Sequence, residues 1–286
     1  MIERIAILGT GLLGTSVGLA LRASGYRGLI VGWNRSAEAA QTALAMGALD
    51  SVATDPLQAA RESQVSLVAV PIYATLDLME KLATVLCPEH LVTDVGSTKR
   101  LISETAARLF NTPERAAFLP GHPMAGKERG GAELADANLF RGAVWLFTDD
   151  PAARRSPQAA ALVKGWRELV AAMGSKAIDL DPARHDELVA WVSHLPQFVA
   201  TALSALLEEQ VGNAPELKDV GGRALREMTR LGASPYSMWR DIAHTNTEPV
   251  ERALQALEQR LAQLRENLRT PVLREEFEQA NRFRRE

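Results

Sequence analysis

The chain has 286 residues, with 32 basic and 35 acidic side chains and a formal net charge of −3. Hydrophobic residues make up 47% and charged residues 23%, a globular composition that excludes a disordered chain and leaves no basic excess for nucleic acid. Cys87 is the sole cysteine, which excludes an intrachain disulfide and a multi-thiolate metal site. No pair of histidines or carboxylates has metal-ligand spacing. Met1-Ile2-Glu3-Arg4-Ile5 runs straight into a glycine turn, leaving no room for a cleavable signal. Nor is there an apolar run of the roughly 18 residues that a membrane span needs. A soluble, cytoplasmic protein with no membrane partner is the expectation.

In chain order, strands are predicted at Arg4–Leu8, Leu29–Trp33, Val65–Val70, Leu91–Val95, Ala116–Leu119, Val144–Thr148 and Lys176–Asp179. Helices are predicted between several of them, at Leu12–Ala23, Ala37–Met46 and Leu76–Leu86. Continuous apolar strands alternating with helices indicate βαβ units and a parallel sheet covered on both faces, although the later strands could run antiparallel. After Asp181-Pro182 the strand pattern stops. Ala183 to Val211 reads as one long apolar helical stretch that Pro196 should kink or break. Asn213 to Ser237 holds shorter helices broken by Gly-Gly and Ser-Pro. Leu254, Leu257, Leu261, Leu264 and Leu268 then form an a/d seam. Either it packs within its own domain or it meets a partner chain. The boundary between the two halves falls near residue 180.

Gly9-Thr10-Gly11-Leu12-Leu13-Gly14 follows the first strand and opens the first helix. In that context Gly9 permits the tight turn, Gly11 lets a pyrophosphate approach the backbone, and Gly14 lets helix and strand pack closely. The helix N-terminus at Leu12 and Leu13 faces the anion, so the segment reads as a dinucleotide site. The second strand ends in Asn34-Arg35-Ser36, where an NAD site usually carries a carboxylate for the ribose 2′-hydroxyl. Neutral Asn34 does not repel a 2′-phosphate, Arg35 offers a fork to it and Ser36 a hydroxyl. NADP is therefore favoured over NAD. The other reading has Arg35 in solvent or over adenine, with Asn34 holding the 2′-hydroxyl.

Three further segments carry chemistry. Thr93-Asp94-Val95-Gly96-Ser97-Thr98-Lys99 and Pro120-Gly121-His122-Pro123-Met124-Ala125-Gly126-Lys127-Glu128 both sit at carboxyl ends of strands, where open α/β sheets bind ligands. The third, Val192-Ser193-His194-Leu195-Pro196-Gln197, is followed downstream by Arg226-Glu227-Met228-Thr229-Arg230. His122, held between Gly and Pro, can exchange protons near neutral pH. Ser97 either caps the next helix or hydrogen-bonds a ligand. His194 alone reads as a satisfied helix histidine and Arg230 as a surface ion-pair partner. His90, His185 and His244 receive only structural readings.

Together, the glycine turn, Asp94-Val95-Gly96-Ser97-Thr98-Lys99, Gly121-His122-Pro123-Met124-Ala125-Gly126-Lys127-Glu128, Ser193-His194-Leu195-Pro196, Thr229-Arg230 and Met238-Trp239-Arg240-Asp241 resemble the prephenate/arogenate dehydrogenase family. The resemblance covers nearly the whole chain. It implies an α/β Rossmann-type dinucleotide-binding domain over residues 1–180 and an all-α helical dimerisation domain over 181–286. A homodimer through the helical domain is implied with it, which favours the partner-chain reading of the leucine seam. No stretch remains for a fused chorismate mutase or an added C-terminal regulatory domain. The implied reaction is NAD(P)-dependent oxidative decarboxylation of a small molecule, prephenate or arogenate.

In that reaction His122 is expected to accept the proton of the ring 4-hydroxyl as a neutral imidazole. Ser97 would hold that hydroxyl or the histidine in place. Arg230 would bind a substrate carboxylate, with His194 and Glu128 as supporting polar groups. Two departures stand out. Gln197 replaces a second histidine frequent in the family near the substrate side chain, which leaves prephenate against arogenate open. Gly221-Gly222-Arg223 adds an arginine that could narrow the pocket or contact an anion. A β-hydroxyacid dehydrogenase or imine reductase also joins these domain types, but carries lysine or aspartate on the long helix. A dinucleotide sensor without turnover has no use for His122 and Ser97.

Overall fold

The computed structural model describes residues 2–285. The first part runs β1 (Arg4–Leu8), α1 (Leu12–Ala23), β2 (Leu29–Trp33), α2 (Ala37–Ala45), β3 (Ser51–Val52) and α3 (Pro56–Arg61). It continues through β4 (Val65–Val68), α4 (Ile72–Ala83), β5 (Leu91–Asp94), α5 (Arg100–Leu109) and β6 (Ala117–Leu119). All six strands are parallel, in the order β3-β2-β1-β4-β5-β6. Ile5 and Ile7 of β1 enter the core on one face of the sheet, Ala6 and Leu8 the core on the other. Burial on both faces is why these strands read as unbroken apolar runs. Helix α4 starts at Ile72, earlier than the sequence pattern indicates, because Pro71 stands at its N-cap. The strand order reverses between β1 and β4, so the loops that follow them diverge and open a crevice.

At Pro120 the chain leaves this sheet for a second one. Here β7 (Gly121–Pro123) pairs antiparallel with β8 (Val144–Phe147), and β8 pairs parallel with β9 (Lys176–Asp179) across α6 (Pro157–Ala172). His122 therefore lies inside a short strand of its own. Trp145 of β8 packs against Phe140, Phe147 and Trp166, and shares its core with Ile5 and Ile7. The two sheets are thus one packed unit.

From Pro182 onward the chain is helical. Helices α7 (Pro182–Val189) and α8 (Leu195–Val211) are joined by a π turn at Ala190–His194. The Leu195 amide bonds back to the Ala190 carbonyl, five residues away. This wide turn absorbs Pro196, which lacks an amide, so the expected break does not occur. The joined element of 30 residues has a mean hydropathy of 1.2 over its most apolar window, long and apolar enough by those measures to cross a membrane. Most of that window is not buried within the chain: α7 packs against α5 and α8 against other elements of the helical half, with His194 and Gln197 buried in a cleft wall.

The remaining elements are α9 (Leu217–Val220), α10 (Gly222–Thr229), a 3-10 turn at Arg230–Ala233, α11 (Tyr236–Thr245), α12 (Thr247–Glu266) and α13 (Val272–Arg285). Arg260 pairs with Glu276 at 2.7 Å, linking α12 to α13. The leucine seam is only partly covered by its own chain: Leu254, Leu257 and Leu264 are half-buried, whereas Leu261 is 54% and Leu268 64% exposed.

Packing at the glycine turn yields a test. A Cβ on Gly14 would overlap the carbonyl oxygen of Gly9, whereas a Cβ on Gly11 meets no atom within 4 Å. Gly14→Ala should therefore cost about 1–3 kcal/mol in urea unfolding by forcing α1 off β1. Gly11→Ala should cost less than about 1 kcal/mol. The reverse ranking would contradict this packing.

Candidate active site

A cleft of about 600 Å³ lies between the carboxyl ends of the main sheet and the helical half. Its walls include Gly11, Leu12 and Leu13, Gly96 and Ser97, His122 to Gly130, Val192 to His194, Gln197, Arg230 and Trp239. Most of the sequence-predicted site residues therefore meet in one place. Gly9 and Gly14 lie behind the wall as packing residues. Asn34, Arg35 and Ser36 stand apart, at the end of β2.

The glycine turn fits a dinucleotide on its geometry. Gly9 has φ of +110° and its α-carbon faces the Ala69 carbonyl, so only glycine sits there without strain. Gly11 is the N-cap of α1 with no side-chain cap, leaving the leading amides of α1 directed into open space beside it. The Gly9 amide donates to the Trp33 carbonyl at 2.7 Å, which fixes the turn against the end of β2. There, Asn34 donates to Thr10 Oγ1 (3.2 Å) and accepts from the Ser36 amide (3.1 Å). Ser36 Oγ caps α2 by accepting from the Ala39 amide. Arg35 is exposed and makes no ion pair among the described residues.

Asp94 clamps two segments of the cleft wall together. Its carboxylate accepts from the amides of Gly96 (2.7 Å) and Gly121 (3.0 Å) and from Lys99 Nζ (2.5 Å). Both ends of that ion pair are fully buried. Burial pushes Lys99 below its usual range, against the pull of Asp94. Ser97 does not cap α5: that helix has Lys99 at its N-cap with no side-chain bond. The amides of Lys99 and Arg100 are instead taken by the carboxylate of Asp186, at 2.7 and 2.9 Å. The Ser97 hydroxyl is left to the cleft it lines.

His122 is only 7% exposed. Its Nδ1 lies 2.9 Å from His185 Nε2, and His185 Nδ1 lies 2.8 Å from Asp186 Oδ1. Burial first, then His185, Lys99 and His194, hold His122 well below the usual histidine range. Burial also lowers His185, and takes His194 down to about 4. Asn246 Nδ2 donates to the Asp186 carbonyl (2.8 Å) and faces His194 Nδ1 at 3.2 Å. Nδ1 of His194 is therefore the acceptor, and its proton sits on Nε2, a buried atom without a protein partner among the described residues. Sequence reasoning gave His185 only a structural reading and did not single out Asp186 or Asn246. The Asp181-Pro182 helix start, which places His185-Asp186 one turn into α7, was the only local signal.

Arg230 reaches across the cleft mouth to pair with Glu128, its side chain 61% exposed. Gln197 is buried and committed to its own half: it donates to the Leu231 carbonyl (2.7 Å) and Thr201 (3.2 Å) and accepts from Ser234 (3.1 Å). It thereby ties α8 to the turn that carries Arg230. Arg223 is not in the cleft wall; it pairs with Glu227 on the outer face of α10, so it neither narrows the pocket nor contacts an anion there.

The neutral histidines set the pH dependence of stability. Each has a folded pKa below its unfolded value of about 6.5, so below that pH the unfolded chain binds protons that the folded chain refuses. Stability should fall by about 2 kcal/mol for His194 between pH 7.5 and pH 5, with His122 and His185 lowering it further in the same direction. Urea unfolding at the two pH values measures this, and an unchanged midpoint would count against the burial argument.

Residues 17–176 match the family described as prephenate dehydrogenase, nucleotide-binding domain. Residues 181–283 match prephenate dehydrogenase, dimerization domain. The prephenate dehydrogenase of Lactococcus lactis is 32% identical over 247 residues, 86% of this chain. The chain spans 66% of that relative's length. A solved prephenate dehydrogenase from A. aeolicus, in complex with hydroxyphenyl propionate and NAD+, has a TM-score of 0.82 at 28% identity, covering 100% of this chain and 96% of its own. Synechocystis arogenate dehydrogenase has a TM-score of 0.76 at 29% identity, covering 98% of both chains. The chain belongs to the prephenate dehydrogenase family.

Proposed function

We propose that this chain is a soluble, cytoplasmic NAD(P)-dependent dehydrogenase that converts prephenate to 4-hydroxyphenylpyruvate and carbon dioxide. The observation that carries the reading is His122, whose Nδ1 is engaged inside the protein while the ring lines the cleft opposite the glycine turn. Gly9, Gly11, Leu12, Leu13 and Gly14 hold the dinucleotide, which supplies the hydride acceptor. His122, neutral through burial, takes the proton of the ring 4-hydroxyl at Nε2. Ser97, free of any cap, holds that hydroxyl. As the ring carbon is oxidised and the carboxylate is lost as carbon dioxide, aromatisation of the ring drives the step.

Arg230 binds a substrate carboxylate at the mouth, exchanging Glu128 for it. His194, with its proton on the buried Nε2, is a supporting polar group of the cleft wall. Gln197 acts by holding the Arg230 turn rather than by reading the substrate side chain. Arogenate is the second candidate substrate, on the likeness to the Synechocystis enzyme. NADP is the preferred cofactor: Asn34 spends its oxygen on the Ser36 amide, no carboxylate stands at the end of β2, and Arg35 has no ion-pair partner among the described residues.

Initial rates with prephenate and arogenate, each with NADP+ and NAD+, test the whole reading by absorbance of the reduced nicotinamide. Prephenate with NADP+ should give the highest kcat/KM. His122→Asn should lose about a hundredfold or more in kcat with cofactor affinity intact, as removal of a general base does. Full activity in that variant would remove His122 from this role.

The exposed leucines at Leu261 of α12 and Leu268 in the turn after it mark the proposed dimer contact. Light scattering should report a dimer for the native chain and a monomer for Leu261→Glu with Leu268→Glu. A dimer in the double variant would place the interface elsewhere.

A further inference from the structure

We propose that His185, oriented by Asp186, is a positioning residue that holds His122 in the tautomer with its proton on Nδ1 and its lone pair on Nε2. This rests on the reading of His122 as the proton acceptor, and adds what makes that acceptor competent. Two donors in the chain of contacts have a fixed direction. The backbone amides of Lys99 and Arg100 can only donate, and they converge on the two oxygens of Asp186 at 2.7 and 2.9 Å. Asp186 therefore accepts through both oxygens at the N-terminus of α5.

His185 Nδ1, 2.8 Å from Asp186 Oδ1, must then be the donor. A neutral imidazole carries one proton. With that proton on Nδ1, His185 Nε2 offers only a lone pair. His122 Nδ1 lies 2.9 Å from it and must donate. The single proton of His122 is thereby spent inside the protein, and Nε2 is left as a base for the cleft. A free neutral imidazole favours the opposite arrangement, with the proton on Nε2, which cannot accept a proton from substrate.

His185 has to stay neutral for this to work. A doubly protonated His185 would donate from Nε2 to His122 Nδ1 and move the His122 proton to the cleft side, extinguishing the base. Full burial of His185 opposes that second proton. The relay crosses three separate segments: His122 on β7, His185-Asp186 on α7, and the start of α5. Its geometry arises only when the helical half is docked on the sheet.

The test uses the full-length chain. Nitrogen NMR of histidine-labelled protein, with the His122 signals assigned by their loss in His122→Asn, reads the tautomer without any turnover. The native chain should show a protonated Nδ1 and an unprotonated Nε2 at position 122, and a proton on Nε2 would overturn the proposal. His185→Phe keeps a ring but removes the acceptor. It should shift the His122 proton to Nε2 and lower kcat about tenfold or more, with KM and cofactor affinity within about twofold. His185→Gln, whose amide oxygen can accept from Nδ1, should recover most of the activity. Native kcat in His185→Phe, or equal losses in both variants, would also overturn it. An absence of turnover on either substrate in the native chain would sink the assigned reaction, while the NMR spectrum would still decide the tautomer.

Discussion

The geometry of the site depends on one buried carboxylate. Asp94 sits at the end of β5 and accepts from Gly96, Gly121 and Lys99, so it binds the loop carrying Ser97 to the strand carrying His122. These two segments belong to different sheets, and among the described residues no ladder hydrogen bond joins β5 to β7 directly. An apolar residue at position 94 would leave two buried amides and a buried lysine short of an acceptor, and breaking such a pair costs about 3–5 kcal/mol. The same contacts leave no room for side chains at either glycine. A Cβ at Gly96 or at Gly121 comes within 2.8 Å of Asp94 atoms.

Burial supplies the chemical poise. Three histidines lie in one desolvated region, and each proton added there faces the loss of solvation and the field of its neighbours. The imidazoles therefore remain neutral at physiological pH, where an exposed histidine is partly charged. Neutrality leaves each ring with one proton and one lone pair. The carboxylate of Asp186, accepting from His185, and the amide of Asn246 then decide which nitrogen carries which: the proton of His122 falls on Nδ1 and that of His194 on the buried Nε2.

The sequence reveals some of this and hides the rest for physical reasons. Strands β1, β2, β4 and β5 were legible because burial on both faces makes them uninterrupted apolar runs, and the glycine turn was legible because its spacing answers to backbone sterics. Strands β3 and β7, of two and three residues, are too short to carry a pattern. Of the kink or break expected at Pro196, the helix is not broken, because a π turn just before it supplies the missing space, a rearrangement that no local rule encodes. His122 could be chosen from its Gly-Pro setting. His185 could not, because its meaning comes from a ring 63 positions earlier in the chain. Gln197 and Arg223 stood out as departures from the family's pattern, yet one is spent on internal hydrogen bonds and the other faces outward.

Clamp, buried histidines and capping converge at the junction between the sheet and the helical half. Asp186 belongs to the helical half but caps α5 of the sheet half, so docking of the two parts and capping of that helix are the same set of hydrogen bonds. Asn246 adds to the junction by donating to the Asp186 carbonyl, and Thr98 meets Thr245 across it at 2.8 Å. A shift of the helical half would therefore uncap α5, release His185 and loosen His122 together. Such a site cannot hold its base correctly while the halves are apart. That explains why a cleft open enough for a substrate is walled by side chains as deeply buried as those of a core.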